Sequence, residues 1–210
     1  MKAHLFQLVR VAIVVACASC GASEGAPSDA SASPVDAAGA VVDAGSRSDA
    51  APDATTPAPS ALTLTSSAFA SGGALPASFT CDGAGTSPPL AWSGVPAGTA
   101  ELAMLMSTEA RDGRKWNWVL YAIPSEKTGI AAAATDVGKA GITSDGPLLQ
   151  YYPPCSQGPG AKSYTFTLYA LAAKPTLPAV ANQVTGAVVE AAIANVTLAK
   201  SELTVTYTRP

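Results

Sequence analysis

All three tryptophans, all six tyrosines and three of the four phenylalanines lie beyond residue 60, so only one stretch of the chain can build a core. The forty positions before it, 21–60, hold Ala, Ser, Gly or Pro at 28 places and no aromatic residue. With three valines as its largest apolar side chains, that segment buries too little surface to offset the entropy of ordering. It is expected to be a disordered linker spanning roughly 35 Å root-mean-square. Folding is therefore expected of residues 61–210, as one domain.

Residues 1–20 read as a bacterial export signal. A basic region ending at Arg10 leads into the apolar run Val11–Ala16 and then into small residues. The run is far shorter than the ~20 apolar residues of a spanning helix. Two cysteines close the segment. Val14-Val15-Ala16-Cys17 fits the small or aliphatic triplet that precedes an acylated cysteine, and Cys17-Ala18-Ser19-Cys20 offers a longer apolar region ahead of Cys20. Lipidation at Cys20, or at Cys17, would hold the chain on a membrane, since each buried methylene contributes about 0.8 kcal/mol. Ordinary cleavage near Ala18 would instead release it. The expected location is the cell envelope as an anchored lipoprotein, or the secreted or periplasmic space without the anchor.

Charge narrows the function. Residues 61–210 carry nine basic and nine acidic side chains, so the domain lacks the basic footprint of a nucleic-acid binder. The single histidine is His4, inside the proposed signal. Beyond it, imidazole is excluded as base, acid or metal ligand, which removes Ser-His-Asp and Cys-His hydrolases and the usual catalytic zinc sites. The phosphate-loop, dinucleotide and nucleophile-elbow patterns are absent as well.

Within the domain, Leu203–Thr208 alternates Leu203, Val205 and Tyr207 with three threonines, a strand pattern. Ser163–Leu171 alternates similarly. Ala100–Thr108 and Trp116–Ile123 are apolar on both faces, as central strands of a covered sheet would be. Trp116 and Trp118 share strand parity, and are expected on one face. One helix is expected over about Gln183–Val196, where Val184, Val188, Val189, Ala192, Ile193 and Val196 form an apolar stripe. The class is mainly β, with a late helix packed on the sheet.

Particular motifs then carry a resemblance. Phe79-Thr80-Cys81-Asp82-Gly83 is followed by Ser87-Pro88-Pro89-Leu90-Ala91-Trp92-Ser93-Gly94-Val95-Pro96, then by Trp116-Asn117-Trp118-Val119-Leu120-Tyr121-Ala122-Ile123-Pro124, and then by Gly160–Leu171. In that order, over essentially all of 62–209, the chain resembles the bacterial branch of the phosphatidylethanolamine-binding protein family. The resemblance implies two antiparallel sheets with Greek-key connections and a C-terminal helix. It also implies a shallow surface pocket for a phosphate or similar anion, such as a phospholipid headgroup.

The family's pocket ligands come from a D-P-D-x-P loop, a His before Trp, and an H-R-Y segment. Here the corresponding positions read Thr108-Glu109-Ala110-Arg111-Asp112, Asn117, and Lys162-Ser163-Tyr164. An anion could still be met by hydrogen bonds donated from the Asn117 amide and the Thr108 hydroxyl, and by the Lys162 charge. Tyr164 is retained, and Lys115 is a second cationic candidate in the basic turn formed with Arg111, Asp112 and Arg114. Without imidazoles, such a site loses the pH-dependent part of its anion binding.

Cys81 and Cys155 are the domain's two cysteines. After export an intrachain disulfide is the economical expectation, with two buried free thiols as the alternative. The resemblance implies that the segments around them meet beside the pocket. Exposed aromatic rings can stack on sugar faces, and Tyr151 and Tyr152, in a loop, are the aromatic residues expected to be exposed. Core packing is expected of the strand tryptophans.

Together these features point to a non-enzymatic envelope protein that binds a small anionic or polar ligand, with no metal and no cofactor. Its expected partners are that ligand, a membrane through the lipid anchor, and no nucleic acid. Two other classes remain open. One is a protein-interaction or inhibitor module, kinase- or peptidase-directed, with a degenerate pocket and a protein partner. The other is a hydrolase built on a carboxylate or lysine, for which no two of the scattered acids form a marked pair.

Overall fold

The segments that are apolar on both faces do become the centre of the sheet. In the computed structural model, which describes residues 61–145, 149–157 and 159–210, β3 (Glu101–Ala110) and β4 (Gly113–Pro124) form a long hairpin. β7 (Lys162–Leu171) pairs with the other edge of β3, and β8 (Thr197–Tyr207) with β7. With the short β6 (Lys139–Ala140) they make a five-stranded antiparallel sheet in the order β6-β4-β3-β7-β8. Placing β7 beside β3 rather than β4 takes a long crossing connection, as in a Greek key. A second antiparallel sheet contains β1 (Thr63–Thr65), β2 (Leu90–Ser93) and β5 (Gly129–Ile130), in the order β1-β2-β5. The proposed signal, both candidate lipidation cysteines and the linker fall at residues 1–60, outside the described residues.

Burial on two faces follows from period-two alternation. Met104, Met106, Trp118, Leu120, Phe166, Leu168, Leu203 and Val205 point into the layer between the sheets, where Leu64, Leu90 and Trp92 of the small sheet meet them. Ala103, Leu105, Val119 and Tyr121 point the other way, toward Val189 and Ile193 of α1 (Gly186–Ile193). Among the described residues no helix is long and apolar enough to cross a membrane.

Three local expectations change. The helix is Gly186–Ile193, shorter than the stripe, because Thr185 caps it by accepting from the Val188 N–H, and Val184 caps the preceding 3₁₀ turn Ala181–Gln183. Val184 and Val196 pack on the same core from outside the helix, which is why the stripe overran its ends. β8 begins at Thr197, earlier than its apolar alternation, because ladder bonds to β7 continue through the polar residues Lys200, Ser201 and Glu202. Trp116 and Trp118 do not share a face. Met106 pairs with Trp118 but Ser107 with Trp116, leaving Asn117 as an extra residue in β4. That bulge reverses the parity: Trp118 enters the layer between the sheets, and Trp116 packs on the helix side.

Candidate functional site

The bulge that separates the tryptophans also sets Asn117 at the end of the sheet's inner face, beyond the reach of the small sheet. Around it a surface pocket of about 320 Å³ is lined by Thr108, Lys115, Asn117, Asp145, Tyr152, Cys155, Gln157 and Tyr164. It opens into a wider depression of about 710 Å³ that adds Lys162, Arg111 and Ser156. The five residues singled out from sequence, Thr108, Lys115, Asn117, Lys162 and Tyr164, thus come together, from β3, β4 and β7.

Their register explains the meeting. Thr108 pairs with Lys115 across the β3–β4 ladder, and both stand on the inner face. Tyr164 points to that face from β7, at 3% exposure, and Lys162 precedes it by two residues. The loop at Tyr152 closes the pocket's far wall. Its N–H donates to the Asn117 main-chain oxygen at 2.8 Å, and its carbonyl accepts from Asn117 Nδ2 at 3.2 Å.

Hydrogen bonding alters the chemistry expected of two of these side chains. The Thr108 hydroxyl donates to the Ser163 carbonyl at 2.7 Å, and the Asn117 amide nitrogen is committed to Tyr152. The Thr108 proton and one of the two Asn117 Nδ2 protons are thus used within the protein. The acceptor left over is Asn117 Oδ1, which is buried without a hydrogen-bond partner. Asn117 is 4% exposed, and an orphaned buried carbonyl of this kind costs about 1–3 kcal/mol until a donor reaches it. Ser156 Oγ, in the wider depression, is buried and unpartnered too.

Charge around the pocket is mixed. Lys115 Nζ lies 2.6 Å from Asp112 Oδ2, a contact that raises the lysine pKa and lowers the aspartate's. Arg114 is turned away, held by Glu109 at 2.6 Å and Glu190 at 3.1 Å. Lys162 has no carboxylate partner among the described residues. Burial, reinforced by the negative charge of Asp145, raises the Tyr164 pKa, so its phenol stays neutral and able to donate. Asp145, Tyr152, Ser156 and Gln157 were not among the sequence candidates. Tyr152 sits in the Tyr-Tyr-Pro-Pro loop and Gln157 beside Cys155, but neither spacing points to a pocket.

Cys81 and Cys155 are bonded, with Cα atoms 5.2 Å apart, and the Cys81 N–H donates to the Pro154 carbonyl at 3.0 Å. The bridge fixes the Pro153–Cys155 segment at the pocket rim. Tyr151 is not exposed as expected. It is 8% exposed, meets Trp118 edge-on at 5.3 Å and donates its hydroxyl to the Phe79 carbonyl at 2.7 Å. Among the described residues no group of three or more His, Cys, Asp or Glu could hold a metal.

Known proteins share this arrangement of the chain. Residues 65–208 match the family model described as phosphatidylethanolamine-binding protein. A UPF0098 protein of Methanothermobacter thermautotrophicus is 36% identical over 114 residues, which are 51% of this chain and 75% of that protein. LppC of Mycobacterium tuberculosis, whose name proposes it as a lipoprotein, is 36% identical over 117 residues, 55% of this chain and 58% of its own length. Among solved structures, a Chlamydia trachomatis homolog of phosphatidylethanolamine-binding protein superposes with a TM-score of 0.65 at 28% identity, over 71% of this chain and 99% of that one. YbcL of E. coli does so with a TM-score of 0.65 at 26% identity, over 72% and 100%.

Proposed function

The chain belongs to the phosphatidylethanolamine-binding protein family, and on that premise we propose that its domain binds a small polar ligand carrying an anionic group, without catalysing a reaction. The observation that carries the reading is the pairing of opposite needs in the pocket and the wider depression that it opens into. Lys162 lacks a carboxylate partner among the described residues, while Asn117 Oδ1 is buried and lacks a donor. A ligand with an anion at one end and an N–H or O–H at the other satisfies both. A phosphorylated headgroup bearing an amine or hydroxyl has that form, with Tyr164 as a further donor to the anion.

We place this binding at the cell envelope, with the domain exported and tethered through a lipid on Cys20 or Cys17. The signal-like residues 1–20 support that location, and so does the name of the mycobacterial relative.

The test is a titration of the full chain with phosphorylethanolamine and with inorganic phosphate at low salt, followed by tryptophan fluorescence. Trp116 and Trp118 flank Asn117, so filling the pocket should change the emission. Saturable binding that weakens in Lys162→Gln and in Asn117→Ala supports the reading. A flat response to both ligands up to tens of millimolar, with the protein folded, sinks it.

A further inference from the structure

A second concavity, of about 470 Å³, lies on the outer face of the five-stranded sheet beside α1. It meets the depression described above at Thr108, Glu109 and Lys162, which line both. Its floor is Leu105, and its walls are hydroxyls on the outward parity of adjacent strands: Ser107 on β3, and Thr165, Thr167 and Tyr169 on β7. Thr165 is bonded to Thr204 of β8 at 3.0 Å, whereas the Thr167 and Tyr169 hydroxyls have no hydrogen-bond partner among the described residues.

The charges that line this groove cancel in place. Arg114 is clasped between Glu109 and Glu190, and Lys200 Nζ lies 2.9 Å from Glu202 Oε1. A groove whose ions are already paired offers an entering molecule little net field. What it offers is rows of hydroxyls, about 4.8 Å apart between strands and about 6.7 Å apart along one strand. Of the groove's three cations, Arg114, Lys162 and Lys200, the one without a carboxylate partner among the described residues is Lys162, at the mouth where the groove meets the wider depression. From this we propose that the groove receives the hydroxylated body of a sugar phosphate or polyol phosphate whose phosphate rests at Lys162.

This proposal rests on the ligand reading above and specifies the ligand's class. Hydroxyls of a sugar both donate and accept, which suits Thr167, Tyr169 and the paired carboxylates at the edge of the groove. Inorganic phosphate would use only the Lys162 end, and a neutral sugar only the groove. Joined in one molecule, the two contacts reinforce each other, because the second forms at high effective concentration.

Calorimetric titration of the full chain with glucose 1-phosphate, inorganic phosphate and glucose tests this. Glucose 1-phosphate should bind at least tenfold more tightly than phosphate. Thr167→Val and Tyr169→Phe should each weaken glucose 1-phosphate about three- to tenfold, the span of one lost neutral hydrogen bond, and leave phosphate unchanged. Lys162→Gln should weaken both. If phosphate binds through Lys162 but the sugar adds nothing, or the two groove variants leave glucose 1-phosphate unaffected, the groove proposal is overturned while the pocket reading stands. If neither phosphate nor glucose 1-phosphate binds, both fail. If neutral glucose binds and Lys162→Gln leaves glucose 1-phosphate unaffected, the groove acts independently of the pocket and the phosphate link is refuted. Binding to phosphatidylcholine vesicles containing phosphatidylinositol, displaced by glucose 1-phosphate, would identify a lipid headgroup as the source. Indifference to those vesicles would identify a soluble one.

Discussion

Asn117 and Tyr152 hold each other twice: the Tyr152 N–H donates to the Asn117 main-chain oxygen at 2.8 Å, and Asn117 Nδ2 donates to the Tyr152 carbonyl at 3.2 Å. One contact belongs to the backbone and survives substitution of the Asn117 side chain. The other belongs to the side chain and fixes which way the amide faces. With one Nδ2 proton bonded to Tyr152, Oδ1 is left buried and without a hydrogen-bond partner.

Asn117→Asp tests that orientation. The carboxylate cannot donate to Tyr152, and it places a charge where the residue is 4% exposed. Loss of the hydrogen bond alone should cost about 1 kcal/mol, and the buried charge adds to it. Chemical denaturation at pH 7 should show a lowered midpoint with an unchanged slope, and the deficit should shrink at acidic pH as the carboxyl protonates.

Removing the disulfide should destabilise the domain more than any single contact in the pocket. Cys81 and Cys155 are 74 residues apart, and closing a loop of that length contributes about 4 kcal/mol in the chain-entropy model. Cys81→Ser with Cys155→Ser should therefore show a large fall in thermal midpoint by calorimetry. Dithiothreitol should reproduce that fall in the parent chain and have no effect on the double variant.

Gly186→Ala should destabilise, although alanine favours a helix by about 1 kcal/mol over glycine. A Cβ at Gly186 would stand 2.1 Å from the Trp116 ring. The partly buried ring packs on the helix side of β4, so relief requires the ring or α1 to shift. The net loss should be about 1–3 kcal/mol, the usual range for overpacking. An equal or higher denaturation midpoint for the variant would contradict the tight helix–tryptophan contact.

Glu101 gives the pH dependence. Burial raises its pKa above the ordinary carboxylate value, against the opposing pull of Lys174 and Lys139. A carboxyl whose folded pKa is raised favours the folded state when protonated. Its contribution is fully present below the unfolded pKa and is lost as pH rises through the folded one. At pH 7 the ionised Glu101 therefore weakens the fold. Glu101→Gln should raise the denaturation midpoint at pH 7, and the gain should vanish near pH 4. A gain that is independent of pH would point to something other than the charge.

The sequence pattern was most informative where burial is two-sided or strictly alternating. The central strands β3, β4 and β7 were legible because their side chains must satisfy a fixed period of two. The pocket residues were legible only through motif order, since Thr108, Asn117 and Lys162 have no periodic signature of their own. Two features escaped for a common reason. The bulge at Asn117 adds a residue to one strand only, which a single-strand pattern cannot register, so parity alone puts Trp116 and Trp118 on one face. The direction of the Asn117 amide depends on a carbonyl 35 residues away, at Tyr152. The outer groove was hidden because threonine on a strand reads as ordinary β preference until the neighbouring strands and α1 are in place.

The Cys81–Cys155 bridge also divides the domain under mechanical load. β2 to β6 lie inside the covalent ring, whereas β1, β7, α1 and β8 lie outside it. Pulled by its two ends, as a protein tethered on one side and held on the other would be, the chain can pay out only what lies outside. Peeling β7 and β8 removes Lys162 and Tyr164 from the pocket, while Thr108, Lys115 and Asn117 stay within the ring. Tension would thus open the pocket by separating its two halves, and release would restore it against a hairpin that the ring kept from being drawn out.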